Sequence, residues 1–296
     1  MAETPFLIAP DPEAPGLTRA VIGRDQTGAA VETRVVEERP LTIWLNGQEI
    51  VTAMTIGDHP EFLAAGYLAN QGMLGPEDEI TAVEHDAETE AVVVRTARET
   101  DHEAKLARKT RTSGCAVGTV YGDMMEGLAG LRLPAAEVRT SDLYALATTI
   151  NTAPSLYLAA GAIHGTVLCQ GARPLVYFED VGRHNAVDKI AGWLRLAPAG
   201  RTVRPGDCLL YTTGRLTSEM VIKTALMGIP ALASRSGFTA SGVEIARDVG
   251  LTLIGRMRGA RFLCLSGEER LVRDADPRGV AEEAPRHARK GGARHG

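Results

Sequence analysis

Asp207-Cys-Leu-Leu-Tyr-Thr212, Thr217-Ser-Glu-Met-Val-Ile-Lys-Thr-Ala-Leu-Met227 and Ala231-Leu-Ala-Ser234 decide the fold class. They read as strand, helix and strand. In the middle piece Ile222, Ala225 and Leu226, continued by Ile229, recur at i, i+3, i+4 and i+7, one face of an α-helix. Gly228 and Pro230 stop that helix. Downstream the pattern repeats. Thr239–Val249 reads as a helix ending at Gly250, and Leu251–Gly255 and Phe262–Ser266 read as strands. Upstream, Thr166–Cys169 and Pro174–Phe178 flank a Gly171-containing turn, and Asn185–Leu196 reads as a helix. Strands alternating with ten-residue helices predict βαβ units and a layered α/β sheet with right-handed crossovers.

The N-terminal third differs. Residues 1–32 show weak periodicity and are expected to form a loosely ordered arm or an extended edge. Residues 33–55 read as a hairpin turning at Asn46-Gly47, a pair suited to a type I′ turn. Asp58 is expected to cap a helix reaching Met73, with Pro60 in its first turn. Phe62, Ala65, Gly66 and Ala69 share one face of it. Glu79–Glu84 and Ala91–Thr96 alternate as strands. Residues 33–105 thus form a small α+β portion, and residues 106–270 the α/β domain. Within that domain Thr140-Ser141 is expected to cap a helix through Thr149. From Asp274 to Gly296 no apolar pattern remains, and a disordered tail is expected.

Composition narrows the class. The chain has 296 residues, 44% hydrophobic and only 4% aromatic, so its core must be built from aliphatic side chains. A net charge of −5 argues against a general nucleic-acid binder. No apolar run of about 18 residues exists, so no membrane span is expected. The four cysteines are widely spaced, which fits a reducing cytoplasm where thiols stay free. There is no phosphate loop, no GxGxxG, no HExxH and no zinc-deaminase pair, so no metal site is expected.

One cysteine stands apart. Cys115 lies in Arg111-Thr-Ser-Gly-Cys-Ala-Val-Gly118, behind Lys105, Arg108, Lys109 and Arg111. Small neighbours and nearby cations favour an accessible thiolate. Cys169, Cys208 and Cys264 lie in apolar strand patterns and read as small buried hydrophobes. Spacing alone leaves Cys115 open between a reactive thiol and an incidental loop residue.

Tyr177-Phe-Glu-Asp-Val-Gly-Arg-His-Asn-Ala-Val-Asp-Lys-Ile190 resembles the signature of the FdhD family. Thr213-Gly-Arg-Leu-Thr-Ser-Glu-Met-Val-Ile-Lys223, Gly228-Ile-Pro-Ala-Leu-Ala-Ser234 and Leu41-Thr-Ile-Trp-Leu-Asn-Gly47 resemble further blocks of that family in the same order. The resemblance implies a cytidine-deaminase-like layered α/β fold with a smaller N-terminal α+β portion, and a homodimer. It implies a sulfurtransferase of the sulfur-carrier type. A cysteine desulfurase would load Cys115 as a persulfide, and the sulfur would pass to the molybdenum cofactor, in its guanine-dinucleotide form, destined for formate dehydrogenase. Many members carry a CxxC there; Gly118 stands at the second place, so one thiol must suffice.

The family's cofactor-contact stretch falls on Arg256-Met257-Arg258-Gly259-Ala260-Arg261. Guanidinium forks suit a pyrophosphate, while spacing alone favours a solvated Arg-rich hairpin turn. His164, Asp180, Arg183, His184 and Asn185 sit where strands meet helices and are candidate supporting residues. Helix capping and a surface pair between Asp188 and Lys189 would account for the second group as well. Two functions therefore stand side by side: a persulfide carrier, and a cofactor-binding chaperone for formate dehydrogenase without persulfide chemistry. A deaminase-like hydrolase lacks its zinc ligands and glutamate.

Overall fold

The computed structural model describes residues 6–98, 121–196 and 203–280. Cys115, its basic approach and Gly118 lie outside the described residues. The chain opens with β1 (Thr18–Arg24) and β2 (Ala30–Val36), an antiparallel ribbon. This corrects the expected loose arm: Thr18 pairs with Val36 and Arg24 with Ala30, and Arg34 anchors the ribbon through Thr18, Glu13 and the Pro12 carbonyl. Residues 7 and 8 also bridge to the main sheet, where the Leu7 N–H donates to the Leu175 carbonyl at 2.7 Å.

β3 (Arg39–Leu45) and β4 (Gln48–Thr55) form the expected hairpin. Of its two central residues only Asn46 takes positive φ, +53°, so the turn is not type I′. The Asn46 side chain instead ties the turn to Thr96. α1 (Pro60–Asn70) follows, shorter than expected. Its N-cap is His59 in the left-handed region, with no side-chain cap bond, and Asp58, the expected cap, accepts from Lys189 instead. β5 (Ile80–Asp86) and β6 (Ala91–Thr96) complete a four-stranded sheet in the order β4-β3-β6-β5. Leu41, Ile43, Leu45, Val92 and Val94 pack against Leu63, Ala64 and Leu68 of α1.

The second layer system starts with α2 (Tyr121–Gly127), β7 (Val138–Arg139), α3 (Thr140–Thr152) and α4 (Leu156–Ala159). Then come β8 (His164–Gln170), β9 (Arg173–Asp180), α5 (Arg183–Leu196), β10 (Leu209–Thr212) and α6 (Ser218–Leu226). β11 (Ala231–Ser234), α7 (Ala240–Val249), β12 (Thr252–Arg258), β13 (Arg261–Ser266) and β14 (Leu271–Val272) close the described chain. Six strands form one sheet in the order β13-β12-β11-β10-β8-β9. β10, β11 and β12 are parallel; β8, β9 and β13 run antiparallel to their neighbours. The mixed α/β architecture is as the alternation required. One face packs α5, α6 and α7 over Leu168, Phe178, Leu210, Leu232 and Leu253; the other packs α3 over Val167, Tyr177, Tyr211 and Ile254. No helix among the described residues is long and apolar enough to cross a membrane.

Residues 274–280 correct a second expectation. Asp274 bonds the first turn of α3, accepting from the Ser141 N–H at 3.0 Å and the Ser141 hydroxyl at 2.8 Å. Thr140 Oγ1 in turn accepts from the Asp274 and Ala275 N–H groups. Arg139, at the N-cap position, offers no capping side chain, so the cap comes from the C-terminal segment. An unpatterned stretch is ordered by polar bonds that hydrophobic periodicity does not register.

Between the two layer systems α1 and α5 cross at two glycines. A Cβ on Gly66 would fall 1.7 Å from the Asp188 carbonyl oxygen, and one on Gly192 would fall 1.8 Å from that of Phe62. Only glycine permits this approach. Gly192→Ala is expected to force the helices apart and cost about 1–3 kcal/mol or more. Gly23→Ala, with nothing within 4 Å of the added carbon, should change stability by less than about 0.5 kcal/mol. Urea unfolding of the two variants checks this; a wild-type midpoint for Gly192→Ala would refute the close-crossing account.

Candidate functional site

β9 and β10 both pair antiparallel with β8, so they point the same way, and β11 and β12 follow β10. Their carboxyl ends therefore share one edge of the sheet. His164, the first residue of β8, faces Asp180 at that edge. Open α/β sheets bind ligands just beyond this edge. Two of the sequence-derived groups lie along it.

The first surrounds a cavity of about 1010 Å³. Arg235, Arg256, Arg258, Arg261 and Arg273 line it, with Tyr144 and Phe262 among the remaining wall residues. Among the described residues no acidic side chain is in the lining. The stretch 256–261 belongs to the ends of β12 and β13 and the turn between them, rather than to a loop clear of both strands. Arg256, Arg258, Ala260 and Arg261 face the cavity; Met257 does not, being 2% exposed within the core beside Ile254. Gly259, with φ +54°, makes the turn. The β12–β13 register slips between Gly255 and Arg258, and Arg256 takes φ +55° while its N–H donates to the Ser236 carbonyl at 2.7 Å. A non-glycine residue held there is strained, and such bulges re-aim side chains at sites. Arg235 and Arg273 were not among the sequence candidates. Arg235 follows the carboxyl end of β11, a position that a topological rule flags; Arg273 carries no sequence signal.

The second group lies at the start of α5 and α6. His184 is 7% exposed, and its Nε2 is 3.4 Å from Glu219 Oε2. Neither ring nitrogen forms a hydrogen bond among the described residues. Burial, then the charges of Lys223 and Arg183, pushes His184 down to about 2, so the ring is neutral. Burial, then Arg183 and Arg215, lowers His164, and its Nδ1 lies 3.3 Å from Thr213 Oγ1.

Asp180 and Asn185 serve the framework instead. Asp180 is fully buried; it accepts from Thr55 Oγ1 at 2.5 Å and from Asn185 Nδ2 at 3.0 Å, and lies 2.6 Å from Lys189 Nζ. Lys189 also donates to Asp58 at 2.5 Å. The Asp188–Lys189 surface pair is therefore wrong: Asp188 pairs with Lys223 at 2.7 Å and with Asn70, deep in the interior. Consecutive helix residues point in different directions, so each found its own partner.

The three described cysteines are poor thiolates. Burial pushes Cys169 well up and Cys208 up to about 11, and it also raises Cys264.

The mixed α/β sheet thus carries at its carboxyl edge a cavity whose arginine lining is complementary in charge to an anion. The model of the FdhD/NarQ family matches residues 36–272, and the chain belongs to that family. It is 29% identical to the sulfur carrier protein FdhD of Wolinella succinogenes, covering 89% of this chain and 92% of that one. Against the Bacillus subtilis sulfur carrier protein FdhD the identity is 30%, over 81% and 91% of the two chains. A solved structure described as a formate dehydrogenase accessory protein from Desulfotalea psychrophila superposes with a TM-score of 0.69 at 27% identity, covering 86% of this chain and 98% of that one.

Glu179, beside the site, yields a pH prediction. Burial raises it from 4.5 to about 7, against the Leu156 and Tyr157 N–H groups that donate to it. Between those values the unfolded chain ionises while the native carboxyl stays protonated. Native stability contributed by this group thus falls as pH rises through that window and levels off above it. His184 slopes the opposite way below its ordinary value, so the difference between wild type and Glu179→Gln isolates the carboxyl. That difference in unfolding free energy should shift toward the variant between pH 5 and 7, where ~1 kcal/mol per pH unit is the scale of a single group. A difference independent of pH would refute the assignment.

Proposed function

We propose that this chain is a sulfur carrier that holds sulfur as a persulfide on Cys115 and delivers it to the molybdenum cofactor before that cofactor enters formate dehydrogenase. The observation that carries the reading is the arginine-lined cavity on the stretch 256–261, joined to a family whose curated relatives are named sulfur carrier proteins. Guanidinium forks match the pyrophosphates of a bis-guanine-dinucleotide cofactor. The cofactor is substrate and cargo here.

Thiol chemistry supports the choice of cysteine. Sulfur transfer requires a thiolate, and burial holds Cys169, Cys208 and Cys264 against ionisation. That leaves Cys115 of the four cysteines. Its thiolate would attack the terminal sulfur of a cysteine desulfurase persulfide; the donor S–S bond breaks and the donor leaves as thiolate. With Gly118 at the place of a second cysteine, the chain works as a monothiol sulfurtransferase. The reading includes a homodimer in the cytoplasm.

A cofactor chaperone without persulfide chemistry would use the same cavity, and the thiol separates the two. After incubation with a cysteine desulfurase and cysteine, intact mass should rise by one sulfur, mapping to Cys115 and absent from Cys115→Ala. In cells Cys115→Ala should leave formate dehydrogenase near background, while replacing the other three cysteines by Ala should preserve it. Full activity with Cys115→Ala would establish the chaperone reading instead.

A further inference from the structure

The match to the family model ends at residue 272, yet the next residues build part of the cavity. Arg273, Ala275 and Pro277 line it, together with Thr140, the residue they are bonded to. β14 pairs in parallel with β7, Leu271 with Val138 and Val272 with Arg139, which delivers the chain to the first turn of α3. Asp274 then grips that turn through Thr140 and Ser141, with Arg139 3.5 Å away. The Ser141 N–H, then its hydroxyl, holds the Asp274 carboxyl down at about 2, so the grip stays ionised across the working pH range. Arg273 is thereby placed at the rim on one side of a fixed clasp.

The charge on the cavity calls for more than one phosphoryl group. Among the described residues five guanidiniums line it and no acidic side chain does. Arg256, Arg258, Arg261 and Arg273 form no ion pair with a described carboxylate. A single phosphate monoester carries about −1.5 to −2. Arg235 is itself set in place, with its guanidinium 5.9 Å from the centre of the Tyr157 ring and 3.4 Å from Asn151 Oδ1.

We infer that residues 273–277 are a working wall of the cavity, in which Arg273, with Arg235, grips a diphosphate that Arg256, Arg258 and Arg261 hold from the β12–β13 turn. Asp274 is a positioning residue: it touches no ligand and acts by fixing Arg273. The inference rests on the cavity being the cofactor site but does not depend on any sulfur chemistry.

Calorimetric titration of the full chain tests it, with GDP, GMP and inorganic pyrophosphate as probes. Wild type should bind GDP and pyrophosphate more tightly than GMP. Arg273→Ala should weaken GDP about ten-fold or more, the scale for losing a charge-assisted hydrogen bond. Arg273→Lys should not restore it, because an ammonium lacks the planar fork. Asp274→Ala should weaken GDP to a similar degree, and the double variant should bind no more than about two-fold worse than Arg273→Ala alone, since both changes remove one grip. Loss of fold would not produce that non-additivity. The inference is overturned if wild type shows no saturable binding of GDP or pyrophosphate, if Arg273→Ala binds GDP like wild type, or if the two penalties simply add. Should Asp274→Ala fail to fold, Arg273→Ala decides alone. None of these readouts involves Cys115, so their failure is distinct from failure of the carrier reading.

Discussion

Lys189 is a fully buried ammonium between two carboxylates from different parts of the chain, Asp180 at the end of β9 and Asp58 ahead of α1. Burial works against its charge, but Asp180 and Asp58 outweigh that and raise it. A buried pair of this kind adds little net stability compared with an apolar replacement, but breaking it leaves an uncompensated charge costing about 3–5 kcal/mol. Its structural effect is to specify geometry. The end of β9, the start of α1 and the middle of α5 must meet at one point. Thr55 donates to the same Asp180 oxygen that Lys189 pairs with and Asn185 to the other, so the end of β4 is tied to the same place.

One turn of helix carries two such ties. Asp188 reaches Lys223 of α6 and Asn70 of α1, while Lys189 reaches β9 and Asp58. Gly66 and Gly192 let α1 and α5 come close enough for both to close. The small N-terminal sheet is thus bolted to the six-stranded sheet through polar contacts around α5. With α5 held, the carboxyl ends of β9, β10, β11 and β12 lie along a single edge, and the cavity and the His184–Glu219 pair open there. The signature stretch Tyr177–Ile190 supplies most of the bolt, and the charge lining the cavity comes from farther along the sheet.

Much of this was legible before any coordinates. The α6 stripe of Ile222, Ala225 and Leu226, with Ile229 beyond it, is buried as its spacing required. The strand–helix alternation translated directly into the mixed sheet, because apolar periodicity reports which face is buried. Two stretches were harder to read for the same reason: residues 18–32, left open between a loose arm and an extended edge, and residues 274–280 are held by backbone pairing, Arg34 and Asp274, and polar bonds leave no periodic trace. Of the stretch 256–261, Arg256, Arg258 and Arg261 line the cavity, while Met257 turns into the core as strand alternation demands.

By itself the sequence determined the α/β class and the cationic turn at 256–261, because these depend on local pattern and composition. Tertiary structure alone decided that Asp180 and Lys189 are buried partners rather than surface groups. It also brought Arg235 and Arg273 to the turn from separate elements. The physical reason is common to both. A charge finds its partner or its ligand through space, across separations of 84 and 134 residues for the contacts that place Arg235 and clasp Asp274. No local pattern encodes that distance.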